Sequence, residues 1–201
     1  MSYPRPWLEH YPVGVKPEVD LDEYRSIVSV LESSCEKFRD RPAFANFGMS
    51  LSYDEIDKAS TQFANYLLFD LKLNKGDRVA LMMPNVLQYP IAIMGVLRAG
   101  LTVVNTNPLY TARELRHQLK DSGALAIVVL DNFAHTVADV LADTSIQQVI
   151  TTGVGDMLAF PKGAIINFVL KYIKRQVPAY SIPGAVRFAE TLRRNTHRTS
   201  I

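Results

Sequence analysis

Between Arg78 and Ile150 two hydrophobic rhythms alternate. Short unbroken apolar runs occur at Arg78 to Met83 (RVALMM), Leu101 to Val104, Leu125 to Leu130 (LAIVVL) and Gln147 to Ile150 (QQVI). Between them, apolar residues recur every three or four positions. That spacing predicts helices over Val86 to Ala99, closed by Gly100, over Thr111 to Asp121, opened by a capping box of Thr111 with Glu114, and near Phe133 to Leu141. A strand without polar alternation is covered on both faces, and strands that each lead into a helix pair in parallel. The pattern therefore predicts an α/β domain: a doubly wound, mostly parallel sheet with helices on both faces.

Upstream, Pro4, Pro6, Pro12 and Pro17 among Tyr3, Trp7 and Tyr11 describe an irregular amino-terminal arm over residues 1–25. From Ser26 the spacing of Ile27, Val30, Leu31, Ser34 and Phe38 suits an amphipathic helix that Pro42 ends, with Cys35 on its polar side. Ala43 to Phe47 and Ser50 to Tyr53 read as a small hairpin. Ser52 with Glu55 then caps a helix that runs to about Leu71, with Ile56, Ala59, Phe63, Ala64 and Leu67 on one face. Residues 26–155 form the α/β subdomain on this reading, and 156–201 a basic helical segment that starts an incomplete second part.

Within that segment, Gly163 to Tyr180 (GAIINFVLKYIKRQVPAY) predicts a helix stopped by Pro178. At 100° per residue Asn167, Lys171, Lys174 and Arg175 share a polar arc, while Ile165, Ile166, Phe168, Val169, Leu170, Tyr172, Ile173 and Val177 fill the wider remainder. So many apolar positions need cover. The protein's own core, a dimer partner and the surface of an anionic membrane each supply it.

Charge sharpens this picture. The 201 residues carry a net charge of only +2, yet residues 1–159 hold 14 bases against 19 acids, and residues 160–201 hold 8 bases against Glu190 alone. A basic segment meets anionic headgroups, nucleic acid or phosphate. Nucleic acid is set aside, because stacking aromatics are sparse there, only Phe188 following Tyr180. The most apolar window, Val86 to Val104, is interrupted by Gln88, Arg98 and two glycines, so no transmembrane helix is predicted. A single cysteine and no secretory start point to a reducing cytoplasm.

Chemistry is sparse in the letters. No Walker A motif, GxGxxG, GxSxG or HExxH occurs, and His10, His117, His135 and His197 do not cluster. TTGVGD at Thr151 to Asp156 lacks the lysine and helix start of a phosphate loop and reads as an ordinary loop. Cys35 reads as a passive residue, and His117 faces solvent or a neighbouring carboxylate. NTNPLYTARELRHQL lies at the carboxyl end of a parallel strand, where open α/β sheets bind ligands, but Asn105, Asn107 and Pro108 serve the turn itself.

LSYDEIDKASTQFANYL, KGDRVALMMPNVLQYPIAIMGVLRAG and VVNTNPLYTARELRHQLKDSGA, in that order, resemble the amino-terminal part of the acyl-adenylate-forming superfamily. WLEHYPVGVKPEVD and GDMLAFPKGAIINFVLKYIKRQVPAYSIPGAVRF resemble segments of one branch, the bacterial long-chain fatty acid:CoA ligases. The resemblance implies ATP and Mg2+ for activating a long-chain fatty acid as an acyl-adenylate, and CoA for releasing acyl-CoA. The family's lysine-bearing phosphate loop, acidic ATP-site segment and lid lysine match no position here. No catalytic, cofactor-binding or metal residue is therefore assigned, and the chain alone is expected to be inactive. Phe168, Lys171, Tyr172, Lys174 and Arg175 form a candidate membrane or acyl-entrance surface, consistent with a cytoplasmic protein peripheral to the inner face of a membrane. An uncovered apolar face also implies homo-oligomers. The rival reading is a non-catalytic α/β binding or regulatory module.

Overall fold

The computed structural model describes residues 4–193. Residues 6–10 make one 3-10 turn, and the chain then runs through exposed turns and bends to Ser26. Ser26 caps α1 (Ile27–Lys37), exchanging hydrogen bonds with Ser29 at 3.1 Å in both directions. The face of α1 differs from expectation. Ile27 and Val30 are exposed, and Cys35 is the buried residue of the helix at 5% exposure. Leu31 packs against the core, and Cys35, one turn on, lines a cavity between α1, α2 and α3.

The hairpin forms as β1 (Pro42–Asn46) and β2 (Met49–Ser52). Its two-residue turn places Phe47 and Gly48 at φ 48° and 70°, the left-handed pair that suits the twist of antiparallel strands. Ser52 and Glu55 close their capping box at the start of α2 (Tyr53–Asn65), which widens into a π-type turn over Tyr66–Asp70. α2 lies against α3 (Gln88–Arg98), which Gly100 closes at φ 69°. The helices meet at Gly95, where a Cβ would stand 2.7 Å from the Phe63 ring and 2.9 Å from the Ser60 carbonyl.

Five parallel strands form the main sheet in the order β4-β3-β5-β6-β7: β3 (Arg78–Met82), β4 (Thr102–Asn105), β5 (Ala126–Leu130), β6 (Gln148–Thr152) and β7 (Val186–Arg187). Alternate residues face opposite cores. Val79, Leu81, Val128 and Ile150 pack beneath α2 and α3. Ala80, Met82, Ile127 and Val129 pack against Leu115 and Leu119 of α4 (Ala112–Ser122) and Ala134 and Val137 of α5 (Ala134–Ala138). Helices thus cover both faces, as the unbroken apolar runs require. The helix expected near 133–141 is only the short α5 between two 3-10 turns, in a stretch whose β-branched Thr136, Val137 and Val140 disfavour longer helix. The fifth strand, β7, is too short to have shown in the hydrophobic pattern.

Candidate functional site at the carboxyl edge of the sheet

Because the strands are parallel, all their carboxyl ends open on one edge. Gln88, the first residue of α3, reaches across it, donating to Thr152 Oγ1 at 3.0 Å and to the Gly153 carbonyl at 2.8 Å, and it is fully buried. Beyond β5 and β6 the edge is polar. Arg187 on β7 donates through Nη1 to Asp131 Oδ1 (2.7 Å) and Thr151 Oγ1 (3.0 Å), and through Nη2 to Asp156 Oδ2 (2.6 Å). The Tyr180 hydroxyl donates to the same Asp131 oxygen at 2.9 Å. Burial alone would lower the Arg187 pKa, but its hydrogen bond to Asp131 and the charges of Asp131 and Asp156 outweigh it and hold the guanidinium ionised. Burial, and after it the Asp131 charge, push the Tyr180 phenol up.

The same aspartate ties down the glycine loop. Asp156 Oδ2 accepts the Gly153 N–H at 2.8 Å, and the Gly155 N–H goes to Asn167 Oδ1 at 2.8 Å. Both glycine donors that a phosphate would use are therefore taken from inside the protein. Among the described residues no three His, Cys, Asp or Glu side chains gather as a metal-binding set. This loop does not fit the phosphates of ATP, and no step through ATP or Mg2+ is derived from it.

Asn167 belongs to α6 (Lys162–Phe168), and its position overturns the expected orientation of that helix. Read as part of the outward polar arc, Asn167 in fact points into the body, where its Nδ2 donates to Asp156 Oδ1 at 2.7 Å. Gly163 packs so closely on Gly155 that a Cβ on either would strike the other's carbonyl. These contacts turn one side of the apolar arc outward and leave Ile166, Val169, Leu170 and Val177 half-buried. Ile165, Phe168, Tyr172 and Ile173 are 57%, 56%, 60% and 66% exposed. The regular helix also ends earlier than expected: a wide π-type turn spans Val169–Ile173, and Arg175 adopts φ 51°, so the break precedes Pro178.

The five surface residues singled out from the sequence therefore lie together but face two ways. Phe168 is on the outward side, and Lys174 and Arg175 are exposed at the end of the turn. Lys171 and Tyr172, with the ammonium 5.5 Å from the ring centre, also border a cleft of about 730 Å3 between the wide turn and the sheet edge. Asp131, Asn132, Tyr180 and Arg187 form its polar side. None of these four carried a sequence signal; the placement of β7 beside β6 brings Arg187 to Asp131.

The other candidates lie elsewhere. Asn105 Oδ1 accepts the Tyr89 hydroxyl at 2.7 Å, which ties the end of β4 to α3, and Asn107 Oδ1 accepts the Leu109 N–H at 3.0 Å, which shapes the turn after β4. His117 is exposed on α4 near Arg113 and Asp121. Burial, with the nearby Asp57 charge, pushes the Cys35 thiol up, which keeps it neutral and a poor nucleophile.

The profile of a family described as AMP-binding enzyme matches residues 31–188. The long-chain-fatty-acid–CoA ligase of Salmonella typhimurium is 52% identical over 186 residues, 92% of this chain and 33% of that protein. The ligase of the same description from Yersinia pestis is 52% identical over 188 residues, 94% and 34% of the two chains. A benzoate CoA ligase from Burkholderia xenovorans superposes with a TM-score of 0.63 over 83% of this chain and 28% of that one at 22% identity, a likeness of fold. The chain thus spans about a third of the length of the curated relatives it matches.

Proposed function

The chain belongs to the AMP-binding enzymes, and from that premise we propose that it is the amino-terminal portion of a long-chain fatty acid:CoA ligase. The observation that carries the reading is identity above one half, sustained across nine-tenths of the chain, to ligases of that description. In the reaction so implied, a fatty carboxylate oxygen attacks the α-phosphorus of ATP and pyrophosphate leaves. The CoA thiol then attacks the acyl carbon and AMP leaves. ATP with Mg2+ supplies the activation; such chemistry asks the protein mainly for positioning and charge stabilisation.

The residues described here contribute a rigid α/β wall and the helix locked onto it. Outside that wall, the exposed side of α6 and its wide turn combines Ile165, Phe168, Tyr172 and Ile173 with Lys171, Lys174 and Arg175, which form no ion pair among the described residues. This is the surface of a helix lying in the headgroup layer of an anionic membrane, where each nearby base contributes about 1 kcal/mol. No helix among the described residues is long and apolar enough to cross one. The proposed partners are a long-chain fatty acid, ATP, CoA and the inner face of a membrane that presents the acid.

The test is enzymatic. The longer protein that carries this chain, given ATP, Mg2+, CoA and fatty acids from laurate to oleate, is expected to form acyl-CoA and AMP, and failure with all of them sinks the ligase reading. The 201-residue chain alone is expected to exchange no pyrophosphate into ATP; exchange by it would place reacting groups among these residues.

A further inference from the structure

The cleft behind α6 has a composition that selects among ligands. It lies outside the carboxyl ends of the neighbouring parallel strands β5 and β6, one strand away from the point between β3 and β5 where the strand order reverses. Its polar groups are already engaged. Asp131 accepts from Tyr180 and Arg187, and Asn132 Nδ2 donates to the Gln176 carbonyl at 2.8 Å. Asn167 serves Gly155 and Asp156. A sugar or a nucleotide, which needs many hydrogen-bond partners, finds few open ones. What remains is apolar wall from Val154, Leu170, Tyr172, Val177 and Pro178, and at the rim the ammonium of Lys171, without a carboxylate partner among the described residues. The two aspartates repel an incoming anion little, because Arg187 lies on both.

Apolar walls with one cation at the mouth complement a long chain with one anionic end, and about 730 Å3 is within the usual range of ligand cavities. We propose that this cleft is a binding site for a long-chain carboxylate, with the chain along Val154, Leu170 and Val177 and the carboxylate at Lys171. The proposal rests on the ligase reading for its ligand class. It places the acid immediately behind the helix face that meets the bilayer.

Calorimetric titration of the 201-residue chain with laurate, decanoate and dodecanol, the acids kept below their micellar concentrations and the alcohol below its solubility, tests it. Each buried methylene is worth about fourfold in affinity, so laurate is expected to bind on the order of tenfold tighter than decanoate. It should also bind about fivefold tighter than dodecanol, a difference that Lys171→Glu removes. Ala179 lines the cleft from an exposed position, so Ala179→Trp fills the space at little risk to folding and is expected to weaken laurate binding about tenfold or more. Laurate affinity unchanged by Ala179→Trp, or equal for laurate and dodecanol, overturns the proposal. So does Phe168→Ser abolishing binding as fully as Ala179→Trp, which moves the ligand to the outer face. Acyl-CoA formation by the longer protein without laurate binding here overturns the cleft and leaves the ligase reading standing. Cleft binding with no ligase activity does the reverse.

Discussion

Two glycines and one asparagine decide which way α6 faces. Gly155 and Gly163 let two backbones approach where any Cβ would strike a carbonyl, and Asn167 completes the contact by serving the Gly155 N–H and Asp156. Gly163→Ala is expected to destabilise the chain by about 1–3 kcal/mol through overpacking. Asn167→Leu should cost about 1–3 kcal/mol by leaving the Gly155 N–H and an Asp156 oxygen short of a partner. Urea unfolding measures both, and a neutral result for either would mean that α6 is held elsewhere. Cys35 carries a pH dependence whose sign is fixed. Burial raises its pKa above the ordinary 9.0, so the folded chain keeps a proton that the unfolded chain releases. Its contribution is fully present below the ordinary thiol range and is lost as pH rises through the folded value. Cys35→Ala should therefore show a smaller fall in stability than the parent between about pH 8 and about pH 10.

Among the elements, the capped helices are defined by their first turns. Thr111 and Glu114 close a reciprocal pair on α4, with the Thr111 N–H and hydroxyl donating to the Glu114 carboxylate at 2.8 and 2.7 Å. The hydroxyl first, then the N–H, lower the Glu114 pKa. That contribution is present above the ordinary glutamate range and is lost as pH falls through the folded value. Thr111→Ala is expected to cost about 1 kcal/mol at neutral pH. Glu114→Gln should flatten the acid limb of the stability profile, read by denaturation at successive pH values; an unchanged limb would show that the pair carries no charge-dependent stability. α6 behaves differently. It has no side-chain cap and ends in a wide turn, so its place depends on contacts made across the fold.

At the scale of the molecule, the proposed membrane contact joins the basic carboxyl-terminal stretch to the outward face of α6. The chain is expected to co-sediment with vesicles containing anionic lipid far more than with zwitterionic ones, and to be released by salt as screening grows. Phe168→Ser with Tyr172→Ser should reduce binding at every salt concentration, whereas reversing Lys171, Lys174 and Arg175 to Glu should remove the anionic preference. Equal binding to both vesicle types would argue against the face. Without lipid the same apolar stripe should draw chains together. Sedimentation showing a monomer across the concentration range would count against that.

Periodicity alone announced the parallel sheet, its two covering layers and the capped helices, because the spacing of apolar residues in a strand or helix states which faces are buried. The order of motifs likewise carried the family, which the match over residues 31–188 bears out. The direction of α6 was not legible. A helical projection of Asn167 with Lys171 sorts residues by polarity, and it assumes that polar means outward. Here a partly buried Asp156 and a bare glycine N–H offered Asn167 better partners than water did, and part of the apolar side was left facing out. Nor could Asp131 declare itself one cluster with Tyr180 and Arg187, which follow it by 49 and 56 positions. Local sequence sets which faces a segment has; only the packing of distant segments decides what each face meets.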